Sequence, residues 1–258
     1  MAANLTLEPR LSSRWITNIS IIGTIISLPI PTSSFLLAHS AHHDPSPPPL
    51  SSIIANVLPS VLSKSHLTKG LQSSSGLVQH CTTLALLKCL LKLNSTLRTF
   101  HETARKLEEV GETGQWSKRS RELTHEVEKR VPDFMVIMAM VQQKHGMGSR
   151  EPSNHQAALL AESALRLLWL YHKLFPRLVS EVRFDVGKLL LGVFDPVITH
   201  GPTDSNDMDT DDHLKQASQN GLDVLRQLHV LRLLKESDQF VWSNKSGAYT
   251  YFHELVYI

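Results

Sequence analysis

The chain has 258 residues, enough to bury a substantial core as one domain or as a continuous repeat array. Apolar residues make up 41% and charged residues 19%, which fits a folded soluble protein better than a disordered one. A net charge of +2 is too small to signal nucleic-acid binding, so any RNA contact requires a local patch.

Arg10 and Arg14 precede an isoleucine-rich run, Trp15 to Leu28, and Ala38-His39-Ser40 has the small residues of a cleavage site. With the glycosylation patterns at Asn4, Asn18, Asn94 and Asn244, this supports a secreted or membrane-tethered protein. Against that, Thr17, Asn18, Ser20, Thr24 and Ser27 punctuate the run, and Pro29 and Pro31 end it. It lacks the roughly 18 uninterrupted apolar residues of a spanning helix, so residues 15–28 are expected to form a buried helix.

The next segment, 39–49, is a loop of proline, histidine and serine, whose three successive prolines exclude helix. Its histidines, His39, His42 and His43, lack a second pair of ligands at metal-binding spacing. Leu50 to Leu62 resumes helical patterning, with Pro59 as its end or kink. Residues 66–93 read as a basic turn at Lys69-Gly70, a serine cap at 73–75 and one strongly apolar helix. Leu77, Cys81, Leu84 and Ala85, then Leu87, Leu90 and Leu91, mark its buried side. So many leucines predict a helix sandwiched between others. Cys81 and Cys89 lie eight residues apart, about 12 Å along one helix, too far for a disulfide. They fit a reducing compartment.

Leu97, Phe100, Ala104, Leu107 and Val110 share one face of an amphipathic segment. Gly111 to Gly114 break it, and Trp116 to Val131 form another helix. Between residues 97 and 130, eight cations face seven acids, the balance of a solvated surface. Within it, Lys118, Arg119 and Arg121 form a small basic cluster able to meet phosphate. Pro132 suits the first turn of a helix carrying Met135, Met138 and Met140 into the core. After a loop at 146–154, helices are expected at 157–175 and, beyond Pro176, at 178–194. A second loop, 196–212, ends in five aspartates that lack the glycine and glutamate of a calcium loop. A helix from about His213 to Leu234 and an aromatic tail, 240–258, complete the chain. The predicted fold is therefore all-α, with irregular stacked helices in an armadillo/HEAT-like array, expected as one helical domain over 1–258.

Catalytic signatures are absent: there is no G-x-S-x-G, P-loop, dinucleotide fingerprint or H-E-x-x-H. His80 and Cys81 point about 100° apart on a helix and cannot pair. His172 and His229 read as satisfied core histidines. The expectation is a non-enzymatic protein without metal or cofactor.

Several segments also occur in a recognisable order: Trp15 and Asn18 with Ile25-Ile26-Ser27-Leu28-Pro29-Ile30-Pro31, then Thr68-Lys69-Gly70-Leu71, Leu77-Val78, His80 and the leucine run. Val131-Pro132-Asp133-Phe134 and Phe240-Val241-Trp242 follow. Together they resemble the nucleolar pre-ribosomal-associated protein 1 family. The resemblance implies a scaffold in the nucleus and nucleolus, acting in early assembly of the large ribosomal subunit. It would hold precursor rRNA and pre-ribosomal particle proteins, including a DEAD-box helicase. Members of that family are far longer, so it also implies a piece of a longer protein or a truncated gene model. Lys69 and the cluster Lys118, Arg119 and Arg121 are then the expected RNA-binding residues. A generic armadillo-like module that binds peptides and no RNA is the alternative reading of the same leucines.

Overall fold

The computed structural model describes residues 7–37, 40, 42–109, 111–145, 154–182, 210–237, 245–246 and 249–250. The chain divides into two compact units, Met1–Ile137 and Met138–Ile258. The described residues are mostly helical, with loops between the helices and one pair of two-residue antiparallel strands, β1 (Lys245–Ser246) and β2 (Tyr249–Thr250).

The first unit is built on α1 (Ser13–Ile26), α2 (Leu50–Val57), α3 (Lys64–Leu71), α4 (Gly76–Lys106) and α5 (Gln115–Glu128), and the start of α6 (Phe134–His145). Helix α4 is its hub: α1, α2, α3 and α5 all pack on it, which meets the expectation of a sandwiched leucine-rich helix. It runs unbroken for 31 residues and unites the two segments that sequence separates around Asn94-Ser95-Thr96. Buried threonines explain the continuity. The hydroxyls of Thr82, Thr83, Thr96 and Thr103 each donate to the carbonyl four residues back, at 2.8–2.9 Å, so they enter the core without an unmet polar atom. The buried stripe is accordingly Val78, Thr82, Leu86, Cys89, Leu90 and Leu93, whereas Leu77 is 50% exposed and Leu84 39%.

Three local expectations change. Lys69 and Gly70 are not a turn but the last turn of α3, which Ser63 starts by accepting from the His66 N–H at 3.2 Å. Gly70 is needed for proximity: a Cβ there would lie 2.7 Å from Thr82 Cγ2 and 2.9 Å from its Cβ. Ser75 does stand at the N-cap of α4, but its hydroxyl makes no capping bond. Gln79 anchors that end instead, its Nε2 donating to the Leu71 carbonyl at 2.9 Å. Helix α1 is one-sided rather than buried throughout, with Trp15, Ile19, Ile22 and Ile26 inside and Ile21 and Ile25 outside.

Breakers act where the sequence puts them. Helix α2 stops at Val57, ahead of Pro59, and α4 ends in a turn with Glu108 and Gly111 at positive φ. Gly114 stands at the N-cap of α5 and has no side chain with which to cap it. Glu109 supplies one from outside the helix: its carboxylate accepts from the Trp116 N–H at 2.9 Å and from the Ser117 N–H and hydroxyl at 3.2 Å. Beneath this cap, Phe35, Phe100 and Trp116 meet edge to face, with ring centroids 5.1–5.8 Å apart. The Trp116 Nε1 donates to the Asp44 carbonyl at 3.0 Å and so holds the loop before α2.

In the second unit, α7 (Asn154–Leu174) packs along α9 (Thr210–Glu236), and α8 (Pro176–Ser180) follows α7 with Pro176 at its first position. The division between units falls inside α6, where Met138 and Met140 are buried but Met135 is 58% exposed, against the expectation of a core residue. Helix α9 starts earlier than expected, so Asp211 and Asp212 belong to it rather than to the acidic loop. The loop at 146–153 and residues 183–209, with the expected 178–194 helix beyond Val182, lie outside the described residues, as does most of the aromatic tail.

Candidate functional site

The four expected RNA-contacting residues fall on two helices. Lys69, at the end of α3, is exposed and pairs with Glu8 at 3.3 Å. Both partners are more than half exposed, so water and salt weaken the pair. Helix α5 carries the other three. Lys118 and Arg121, three residues apart, are exposed. Arg119 is different: its Nε pairs with Glu122 at 3.0 Å and its Nη1 donates to the Pro48 carbonyl. That guanidinium fastens the loop before α2 to α5, a structural role that the run of cations conceals. The structure thus brings Lys118 and Arg121 together on one exposed helix, places Lys69 on another, and turns Arg119 inward.

Sequence reasoning missed a concavity in the first unit. A half-open cleft of about 510 Å³ lies between the C-terminal end of α1 with the chain leaving it, α2, and the middle of α4. Its floor is apolar, formed by the buried Ile26, Phe35, Ile53, Val57 and Phe100. At its mouth stand Ile25 and Leu28, 59% and 58% exposed. Pro29, Pro31, Pro48 and Pro59 stiffen the walls, since each fixes its own φ. One charged residue lines it: Lys92, whose Nζ donates to the Leu28 carbonyl. Desolvation lowers the pKa of that ammonium. No single stretch of sequence reveals the cleft, because residues 25–35, 48–59 and 92–100 build it jointly.

Burial also perturbs three titratable groups elsewhere. Burial pushes the Cys89 thiol up to about 12 and raises that of the half-buried Cys81, and both are free. Burial lowers His172 to about 4. His229 is buried between α7 and α9 with its Nε2 2.8 Å from Glu162 Oε1 and its ring stacked on Trp169. Its Nδ1 has no partner, so the expectation of a fully satisfied core histidine holds for one nitrogen of the two. Among the described residues, no group of three His, Cys, Asp or Glu side chains converges as a metal site. His42 is exposed and His43 half-buried, while His39 lies outside the described residues. No described helix is long and apolar enough to cross a membrane.

Comparison with known proteins gives one lead. No protein-family model matches the chain, and no solved structure does. Over 180 residues, 70% of its length, the chain is 27% identical to the Saccharomyces cerevisiae protein named nucleolar pre-ribosomal-associated protein 1. The matched stretch is 9% of that protein, so the chain spans under a tenth of its relative's length. The resemblance read from the ordered segments and this match therefore point the same way, to a distant and partial similarity with a nucleolar pre-ribosomal protein.

Proposed function

We propose that the chain is a non-catalytic helical scaffold in nucleolar assembly of the large ribosomal subunit, holding precursor rRNA and assembly factors. The observation that carries this is the similarity to a nucleolar pre-ribosomal-associated protein across 70% of the chain. The form of the first unit agrees with a binding role: a 31-residue helix clasped by four others gives a stiff frame with exposed side chains on its flanks. Lys118 and Arg121 on α5, with Lys69 on α3, are the residues assigned to phosphate contact; a DEAD-box helicase among the partners is what the family resemblance adds.

The test is ultraviolet crosslinking and purification of the tagged chain at native expression level. Recovery of large-subunit precursor RNA with early assembly factors is expected. Lys69→Ala, Lys118→Ala and Arg121→Ala together should lower RNA recovery and its salt dependence without changing the melting of the fold. Arg119 is left intact in that variant because its removal would cut one of the bonds that hold the loop before α2. Unchanged crosslinking in the triple variant would overturn the residue assignment. Recovery of proteins with no RNA would favour the second reading, a protein-interaction module, which the apolar cleft supports.

A further inference from the structure

Three properties of the cleft beside α1 select its ligand. Its volume of about 510 Å³ lies within the range of roughly 300–1,000 Å³ in which pockets take ligands. Its floor is apolar, and Ile25 and Leu28 extend the apolar surface outward past the mouth, where both are mostly exposed. An occupant must therefore fill the cleft with bulky apolar groups and continue across the rim, as a peptide chain does. Proline-stiffened walls mean that the shape exists before the occupant arrives, which limits the ordering that binding requires.

Charge supplies the third constraint. Lys92 is the cation of the lining, and no aspartate or glutamate shares the lining with it. An ammonium group has three donors, and the recorded bond, to the Leu28 carbonyl, uses one. The cleft thus offers a partly desolvated positive charge beside an apolar floor, the complement of a carboxylate carried next to large apolar side chains. An apolar occupant without an acid would cover Lys92 and leave its charge unmatched.

We propose that this cleft is a docking site for a segment of a partner protein that presents bulky apolar side chains beside a carboxylate, with Lys92 receiving the carboxylate. The inference goes beyond the ribosomal reading, and its assay contains no RNA, so either can fail while the other stands.

The assay is fluorescence anisotropy of the 258-residue chain with a short labelled peptide of leucine, phenylalanine and glutamate. Two copies serve as comparisons, one with lysine for each glutamate and one with serine for each apolar residue. The acidic apolar peptide should bind, and both copies should bind at least about tenfold more weakly. In Lys92→Glu the preference should reverse, with the lysine copy now the tighter. Ala55→Trp, at an exposed lining position, should fill the mouth and weaken binding by about tenfold or more while circular dichroism melting stays the same. If Lys92→Glu does not fold, the peptide series on the parent and Ala55→Trp still decide. Equal binding of the acidic and basic peptides would overturn the proposal. So would binding that survives Ala55→Trp, or binding of laurate but of none of the peptides.

Discussion

Gly70→Ala is a one-carbon test of how α3 meets α4. The added Cβ would sit 2.7 Å from Thr82 Cγ2 and 2.9 Å from Thr82 Cβ, and closer still to the hydroxyl. Carbon atoms are comfortable at about 3.5–4.0 Å, so roughly 1 Å would have to open between the two helices. Thr82 has no room to yield. It is buried, β-branched and tied to the Val78 carbonyl at 2.8 Å. Overpacking of this kind costs about 1–3 kcal/mol, while alanine in place of glycine within a helix returns roughly 0.5–1 kcal/mol. Contacts under 3 Å put the overpacking at about 2–3 kcal/mol, so the net expected loss is about 1–2.5 kcal/mol. With a urea slope of about 2 kcal/mol per molar, the unfolding midpoint should fall by roughly 0.5–1.3 M. Gly221→Ala is the matched control: this glycine, inside α9, has nothing within 4 Å of its added carbon, so its unit should gain about 0.5–1 kcal/mol. Thr82→Ala in the Gly70→Ala background should recover much of the loss by removing the two nearest atoms. A Gly70→Ala chain as resistant to urea as the parent would refute the close approach.

Three further outcomes are expected. Glu109→Ala should destabilise the first unit by about 1–2 kcal/mol in urea unfolding, because the N–H groups of Trp116 and Ser117 lose their charged acceptor, and Glu109→Gln should retain part of it. In native protein at pH 8, Ellman's reagent should reach Cys81 slowly and Cys89 only after unfolding, so Cys81→Ser should abolish native labelling. For His172 the folded value of about 4 lies below the ordinary 6.5, so the unfolded chain takes up the proton first. Its neutral burial is harmless above about pH 6.5, and stability then falls as pH drops toward about 4 and levels off, by up to about 3 kcal/mol. His172→Leu should flatten that part of a stability–pH curve, and an unchanged slope would show that another group causes it.

Much of the fold was legible because the chain is well punctuated. Pro29, Pro59, Gly111 to Gly114 and Pro176 end or separate helices by rules local to the backbone. The faces of α4 were harder to read. A helix packed by α1, α2, α3 and α5 has no single wet side, so an apolar period no longer identifies what is buried. Threonines then take core positions by bonding back to their own helix, and Leu77 and Leu84 are left outside. Gly70 misled for a related reason. Glycine marks turns in a sequence, but here the missing side chain is required for contact with a partner twelve residues away. Glu109 and Arg119 looked like members of a solvated charge pattern, yet one caps α5 and the other holds the Pro48 carbonyl. Charge pattern alone cannot separate an ion facing water from one aimed at the backbone.

The same distinction bears on what the ordered family-like segments do. Trp15 is buried and its Nε1 donates to the Leu7 carbonyl at 3.2 Å. Gly70 permits a helix contact, and Val131 and Phe134 are core residues beside Asp133, which pairs with Lys64 at 2.7 Å. These positions are accounted for by folding alone. The stretch from Ile25 to Pro31 is not. Within it Ile25 and Leu28 are mostly exposed, against the hydrophobic driving force that buries Ile22 and Ile26. A helix end whose only task was to stop could have used polar residues there, as Ser27 shows one position away. The apolar rim is consistent with a surface that is covered when the protein works, and Lys92, bonded to the Leu28 carbonyl, gives that cover a preferred sign of charge. Other large apolar side chains are exposed as well, Leu11 and Met135 among them, so exposure alone does not single out this rim. What does is that Ile25 and Leu28 line a cleft with a buried apolar floor and a lysine.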